Sequence, residues 1–536
     1  MRSALALVLA MSFGCGDDDT SFSDAATPLD ATTLDATTDA PPSDAPPTDT
    51  PDDGRPRVTL SSGDVIGVAD EGVHVFRSIP YAAPPVGAMR FARPEPHPGW
   101  SMPLDTATTD PDLACPQRID GTLLGEEDCL VASVFAPADA SDAPVMVFVH
   151  GGGFSQGSGN LPLYDGAALA RRGVVVVTFN YRLGTLGFLA GAALEEDDGA
   201  AGNFGLHDQL LALRWVRDHA RAFGGDPDEV TIFGESAGAV SVGVHVASPE
   251  SAGLFARAIA QSGGGGYPTK TRAQQYGRGA ELASAMGCSL DDLACLRNPA
   301  LDLATIVDAA SSGAPSGLGL PDVGPHVDGL ILPGEVFARV RDGRANDVPW
   351  VIGHNADEAS VFTLAVSVPD EDAFRRVVGS VVGPAFVDSL VTLYPASEFG
   401  GRWKSAYDAL FADLAFVCSA VALTEAASDG APAYGYHFTR SLGPRGSFHG
   451  LELFYVFGNL DVVPGYVPSA TDRALTETMQ RAWTGFARAG RPDFEPGWSA
   501  YDPASPSFAI LNEPPSTASE IRGGRCGALR ELGLVP

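Results

Sequence analysis

The stretch Val230-Thr-Ile-Phe-Gly-Glu-Ser-Ala-Gly-Ala-Val240 restricts this chain more than any other. Four β-favouring residues, Val230 to Phe233, run directly into Gly234-Glu-Ser-Ala-Gly238, and a small-residue segment from Ala239 to Ala247 with helical character follows. A strand, a sharp turn and a helix satisfy that order, with Ser236 at the apex. Such a turn is strained and needs small neighbours, and the strain lifts the serine Oγ above a sheet where a base can reach it. A second G-x-S-x-G, Gly153-Phe-Ser155-Gln-Gly157, occurs upstream. The surroundings must decide between the two serines.

Apolar runs alternate with helical segments along most of the chain. Val145 to Val149, Val174 to Asn180 and Pro349 to Gly353 are continuous enough to be strands buried on both faces. Short strands at Val58–Leu60, Asp64–Val68 and Val73–Phe76 suggest an opening antiparallel meander, and Leu130–Phe135 a further strand. Between His207 and Ala220, Leu210, Leu213, Val216 and Ala220 recur at helical spacing. Helices are also expected at 165–172, through most of 371–428 and at 475–489, with a late strand at Ala433–Phe438. This pattern predicts an α/β protein with a large, mostly parallel central sheet and helices on both faces, one catalytic domain over residues 57–536.

The formal charge of −33 argues against nucleic acid and against anionic membrane surfaces as partners. Residues 1–15 read as a signal peptide, too short to span a bilayer. Cys15, after a small residue, resembles the lipidated cysteine of a bacterial lipoprotein, with Ser12 where an aliphatic residue is expected. Residues 16–56, rich in Asp, Ala, Thr and Pro, cannot bury enough apolar surface to fold and read as a disordered acidic linker. The chain is expected to be exported, secreted or held at the cell envelope, touching a membrane only through a lipid on Cys15. Six further cysteines suit disulfides, and proximity favours Cys115–Cys129 and Cys288–Cys295, leaving Cys418 with Cys526. With no C-x-x-C and no Cys/His cluster, metal ligation is the weaker reading.

A serine nucleophile needs a base, an orienting carboxylate and donors for the developing oxyanion. In sheets that carry this kind of turn the chain order is Ser, acid, His. Only His437 and His449 follow every candidate acid. His437 alternates with aromatic residues inside a strand, whereas His449 lies in the loop Gly446-Ser-Phe-His-Gly450, where a mobile base belongs. Asp357 and Glu358 both follow the strand ending at Gly353, and spacing does not separate them. His150-Gly-Gly-Gly153, after a buried strand, supplies backbone N–H groups for an oxyanion. Ser155 sits in the loop just past those glycines with no strand-to-helix turn of its own, so Ser236 is the candidate nucleophile.

From about Arg57 onward the chain resembles the type-B carboxylesterases, the family of para-nitrobenzyl esterase-like enzymes, certain fungal lipases and the cholinesterases. The resemblance is carried by Pro80-Tyr-Ala-Ala-Pro-Pro, Glu127-Asp-Cys-Leu130, His150-Gly-Gly-Gly-Phe154 and Asn180-Tyr-Arg-Leu-Gly-Thr-Leu-Gly-Phe188. It continues through Gly202-Asn-Phe-Gly-Leu-His-Asp-Gln-Leu210, the 223–238 stretch, Asn355-Ala-Asp-Glu358 and His449-Gly-Leu-Glu452. It implies an α/β-hydrolase fold and a serine carboxylic ester hydrolase that needs no metal or organic cofactor. It selects Glu358 as the acid, assigns Gly152, Gly153 and Ala237 to the oxyanion hole, and supports the same three disulfides. Two departures bear on substrate. The segment between Cys115 and Cys129 holds no aromatic residue for a choline cation, and it is short for a lipase lid. Small or medium carboxylic esters are therefore the expected substrates, with amides, carbamates or lipids on the same triad as rivals. A non-catalytic binding or adhesion role is disfavoured because every catalytic position is filled.

Overall fold

The computed structural model describes residues 53–196, 198–264, 269–312 and 322–536. The apolar leader, Cys15 and the acidic linker as far as residue 52 lie outside the described residues. Among the described residues, eleven strands share one sheet. In chain order they are β1 (Val68–Asp70), β2 (Val73–Pro80), β3 (Val131–Pro137), β4 (Ala143–Val149), β5 (Val175–Phe179), β6 (Gly225–Glu235), β7 (Arg257–Gln261), β8 (Trp350–Asn355), β9 (Ala433–Phe438), β10 (Phe508–Leu511) and β11 (Ser516–Ala518). Their spatial order is β11-β10-β9-β8-β7-β6-β4-β5-β3-β2-β1. Every pairing from β10 to β5 is parallel, and the two margins are antiparallel.

Strand β4 shows why the apolar runs become central strands. Val145, Met146, Val147 and Phe148 are all fully buried. Alternation sends Val145 and Val147 into one core cluster and Met146 and Phe148 into another, so both faces of the sheet are covered. The order of strands also locates a site. The chain goes from β4 to β5 on one side, then returns across to β6 on the other side of β4. Ligands of open α/β sheets bind outside the carboxyl ends of strands at such a reversal. Here those ends are Val149, which leads into the glycines, and Glu235, which leads into Ser236.

The helices that matter below are α1 (Phe204–His219), α2 (Ala237–Ala247), α3 (Trp403–Ala412), α4 (Cys418–Ala427), α5 (Leu451–Val456) and α6 (Ala470–Ala489). A π-turn, Asp413–Val417, joins α3 to α4. The span Trp403–Ala427 is long and apolar enough to cross a membrane, but 67% of its most apolar window is buried inside the protein, as in a core helix.

Several boundaries differ from expectation. The opening strands split: Arg57–Leu60 and Gly63–Ile66 pair with Leu104–Asp105 in a separate small sheet, and only β1 and β2 join the large one. The helix expected at 165–172 is one turn, Ala167–Ala170, because Gly173 leaves it at φ +79°. Strand β8 runs two residues past Gly353, placing His354 and Asn355 in the sheet. Strands β10 and β11 carried no strong pattern of their own; they are short and take their form from the sheet edge they close. All three expected disulfides are present: Cys115–Cys129, Cys288–Cys295 and Cys418–Cys526.

Candidate active site

At the end of β6 the backbone of Ser236 takes φ 54°, ψ −121°, a region that costs a non-glycine residue on the order of 1–3 kcal/mol. Ser236 N–H donates to the Gln261 carbonyl at 2.9 Å, and its own carbonyl accepts the N–H of Val240, which starts α2. The flanking glycines are required by contact. A Cβ on Gly238 would lie 1.9 Å from the Val149 oxygen, and one on Gly234 would lie 2.6 Å from the Gly238 carbonyl group. The G-x-S-x-G pattern is thus the sequence trace of β6 and α2 turning against β4.

The two loops after β8 and β9 meet over this turn. Glu358 is buried; its Oε1 accepts the Asn355 N–H at 2.7 Å and the Ser262 hydroxyl at 2.6 Å. Its Oε2 lies 2.6 Å from Nδ1 of His449. Asp357 does a different job. Its carboxylate accepts the Ser447 N–H at 2.8 Å and its own N–H donates to the Ser447 carbonyl, stitching the acid loop to the base loop. Asn355 completes the seam by donating to the Phe448 carbonyl at 2.7 Å. Of the two carboxylates that spacing left open, Glu358 is the one in contact with the His449 imidazole, and Asp357 is turned to the Ser447 backbone. His437 stays in β9, its ring 4.8 Å from that of His354 on the neighbouring strand.

The second imidazole nitrogen faces another carboxylate. Nε2 of His449 lies 3.0 Å from Oε1 of Glu235, and among the described residues Ser236 Oγ makes no hydrogen bond. Catalytic hydrogen bonds in unliganded sites are often loose and tighten only with substrate. A third carboxylate, Glu452 on α5, accepts from Gln261 at 3.2 Å and from Asn355 at 2.5 Å, while Trp483 on α6 holds Gln261 from behind. Burial raises the Glu235 pKa, opposed by the imidazolium of His449. Burial likewise raises Glu452, with the Glu358 charge adding to it. For His449 burial acts to lower the pKa, but Glu235 and Glu358 outweigh it and hold the ring above its ordinary value. Base and neighbouring acid therefore compete for one proton: a proton on Glu235 removes the charge that favours the imidazolium.

The glycines after β4 complete the setting. Gly152 and Gly153 have φ of 108° and 61°, and a Cβ on Gly152 would sit 2.0 Å from the Gln156 oxygen. A Cβ on Gly151 would lie 3.1 Å from the Ser236 Cβ, so this turn lies directly against the nucleophile candidate. The N–H groups of Gly152, Gly153 and Ala237 donate to no acceptor among the described residues. His150 holds the turn from below: its Nδ1 lies 2.8 Å from the Gly151 oxygen and its ring stacks on Tyr181 at 4.4 Å. Ser155 Oγ points back to the Gly152 carbonyl at 3.4 Å, inside the turn. Gln117, from the Cys115–Cys129 loop, bonds both the N–H and the carbonyl of Gly157 at 2.8 Å. Phe362 and Phe416 wall the imidazole at ring separations of 5.0 and 4.7 Å. A cavity of about 150 Å³ borders the turn, lined by Ser155, Gln156, Leu183, Thr185, Leu186 and Val307 among others.

Ser236, Glu358, His449 and the glycine turn, named from the sequence, are thus gathered at the switch point of the sheet. Sequence reasoning assigned no part to Ser262, Glu452 or Phe416. A signal existed for Glu452, which closes the stretch His449-Gly-Leu-Glu452 and lies in the first turn of α5. Ser262 and Phe416 are brought in by neighbouring elements and left no local trace.

A family model described as the Carboxylesterase family matches residues 54–528. The para-nitrobenzyl esterase of Bacillus subtilis (strain 168) is 37% identical over 473 residues, covering 85% of this chain and 94% of that protein. The fumonisin B1 esterase of Sphingopyxis macrogoltabida is 37% identical over 454 residues, covering 81% of this chain and 82% of that protein. A solved PNB esterase superposes with a TM-score of 0.77 at 35% identity, covering 89% of this chain and 99% of that one.

Proposed function

The chain belongs to the carboxylesterase family, and from that premise we propose that it hydrolyses small or medium carboxylic esters through an acyl-enzyme on Ser236. The observation that carries this reading is the contact of 2.6 Å between His449 Nδ1 and Glu358, above a serine held in a strained strand-to-helix turn. His449 takes the proton of Ser236 Oγ as the oxygen attacks the ester carbonyl. The N–H groups of Gly152, Gly153 and Ala237 bind the oxyanion, each worth on the order of 3 kcal/mol of barrier. The alcohol departs with the proton from His449, and water deacylates the serine by the same route. Glu358 fixes the imidazole with Nδ1 protonated and stabilises the imidazolium.

The preference for modest substrates is supported by the Cys115–Cys129 loop. It folds as a tight hairpin, Gln117–Ile119 against Thr122–Leu124, tied to Gly157 through Gln117. A loop so pinned does not supply a lid. The experiment is a hydrolysis profile on p-nitrophenyl esters of increasing acyl length, for the wild type and Ser236→Ala. The expected result is a maximum at short or medium chains and a loss on the order of 10⁴-fold or more in Ser236→Ala. Full activity in that variant contradicts the reading. Amide or carbamate hydrolysis would appear as a higher kcat/KM on matched anilides than on esters.

We further propose export through residues 1–15 with a lipid on Cys15. Cys15→Ser is expected to move the protein from the membrane fraction to the soluble one, and unchanged fractionation counts against the anchor.

A further inference from the structure

We infer that Arg522 is a positioning residue of the reaction, a clasp by which the C-terminal segment holds the acid loop and the aromatic wall of the base in register. The inference rests on the assignment of Glu358 and His449 above. Arg522 belongs to none of the motifs that define the site. Its Nη2 donates at 2.6 Å to the carbonyl of Ala356, in the short link between β8 and Glu358. Its Nε lies 2.7 Å from Oδ1 of Asp413, a buried carboxylate that opens the π-turn. The other Asp413 oxygen accepts the Tyr394 hydroxyl at 2.8 Å.

Single π-turns inside helices are rare and concentrate at functional sites. This one carries Phe416, whose ring lies 4.7 Å from that of His449 and stacks on Phe362 at 5.6 Å. One guanidinium therefore grips the loop bearing the acid and the turn bearing the wall of the base.

Two independent features indicate that this grip is built for. Arg522 has φ +68°, and Gly523 and Gly524 follow at +57° and +78°. A left-handed non-glycine residue persists only where its surroundings over-determine it. Four residues on, Cys526 is bonded to Cys418, the first residue of α4 after the π-turn. Between them, Arg525 lies over the Tyr394 ring at 5.2 Å. The segment is thus fastened twice, by Arg525 and Cys526, within four residues beyond the one that reaches inward.

The test uses the full chain with two variants. Asp413→Asn/Arg522→Met removes both charges together, so no buried carboxylate is left unpaired. Arg522→Lys keeps the charge, but one ammonium cannot span both acceptors. Thermal midpoint, kcat and KM on p-nitrophenyl acetate across pH, and the far-downfield imidazole N–H proton resonance of the His449–Glu358 bond are recorded for each. Both variants are expected to keep KM within about twofold and to lose kcat by roughly ten- to a hundredfold, as misplaced catalytic groups do. The downfield resonance should broaden or move. A folded variant with wild-type kcat and an unchanged resonance overturns the clasp, and if the double variant does not fold, Arg522→Lys decides by the same readouts. Absence of esterase activity in the wild type would overturn the functional reading instead, while the resonance still tests the clasp.

Discussion

His449 stands between two carboxylates, with Glu358 at 2.6 Å on Nδ1 and Glu235 at 3.0 Å on Nε2. That placement has a consequence for pH dependence. A general base works only when neutral, and its neighbours raise the pKa of this imidazole. Glu235→Gln removes one negative charge beside Nε2, so the His449 pKa must fall and the acid limb of the kcat/KM profile should move to lower pH. The shift is expected to be about one unit, the size that a neighbouring charge commonly gives; an unmoved limb would mean that Glu235 is protonated throughout. A second prediction concerns the turn. Gly238→Ala would put a methyl 1.9 Å from the Val149 oxygen, so β4 and α2 cannot keep their separation. The variant should lose esterase activity even where circular dichroism shows it folded, and a fully active Gly238→Ala would contradict the close approach.

The elements that bear these residues differ in how plainly the sequence announces them. Strands β4 and β6 are legible because burial on both faces demands an unbroken apolar run, and the turn after β6 because two glycines are forced by contact. The acid was legible only as a pair. Asp357 and Glu358 are adjacent, and what separates them is the seam to Ser447 and Phe448, which lie far along the chain. The π-turn was not legible: the apolar pattern marks most of 371–428 only as helical and does not single out Asp413–Val417. It is held instead by tertiary partners, Arg522 on Asp413 and the Cys418–Cys526 bond. Opening that bond by Cys418→Ser/Cys526→Ser releases a loop with a sequence separation of 108. In the chain-entropy model a closure of that length is worth up to about 4.7 kcal/mol, and removing a native disulfide costs about 2–5 kcal/mol. Urea unfolding should register a loss in this range. A loss below about 1 kcal/mol would place the stapling elsewhere.

Across the whole molecule the hidden charges are arranged to make acid the vulnerable side. Burial lowers the pKa of His150, His245 and His326 to about 4, of His207 and His437 to about 3, and of His354 well below its ordinary value. Unfolded, each would take up a proton near pH 6.5, the ordinary histidine value. The stability these residues contribute is therefore full above about pH 6.5 and is lost as the pH falls toward their folded values. Each adds a slope of up to about 1.4 kcal/mol per pH unit. His449 and the buried carboxyls of Glu235 and Glu452 run the other way, their contributions full below their ordinary values and lost as the pH rises through their elevated folded ones. Between about pH 6.5 and 5 the six imidazoles outnumber the two carboxyls, so urea midpoints should fall as the pH is lowered through that window. Equal midpoints at about pH 5 and 7 would show that the buried rings are solvated in solution.

The claim on which the rest depends is that Ser236, and not the second serine of the same pattern, is the nucleophile. Mass spectrometry of the folded protein after incubation with a fluorophosphonate ester reads this directly. The adduct is expected on the peptide containing Ser236, absent in Ser236→Ala and strongly slowed in His449→Gln. An adduct on Ser155, or none on a correctly folded chain, would contradict it.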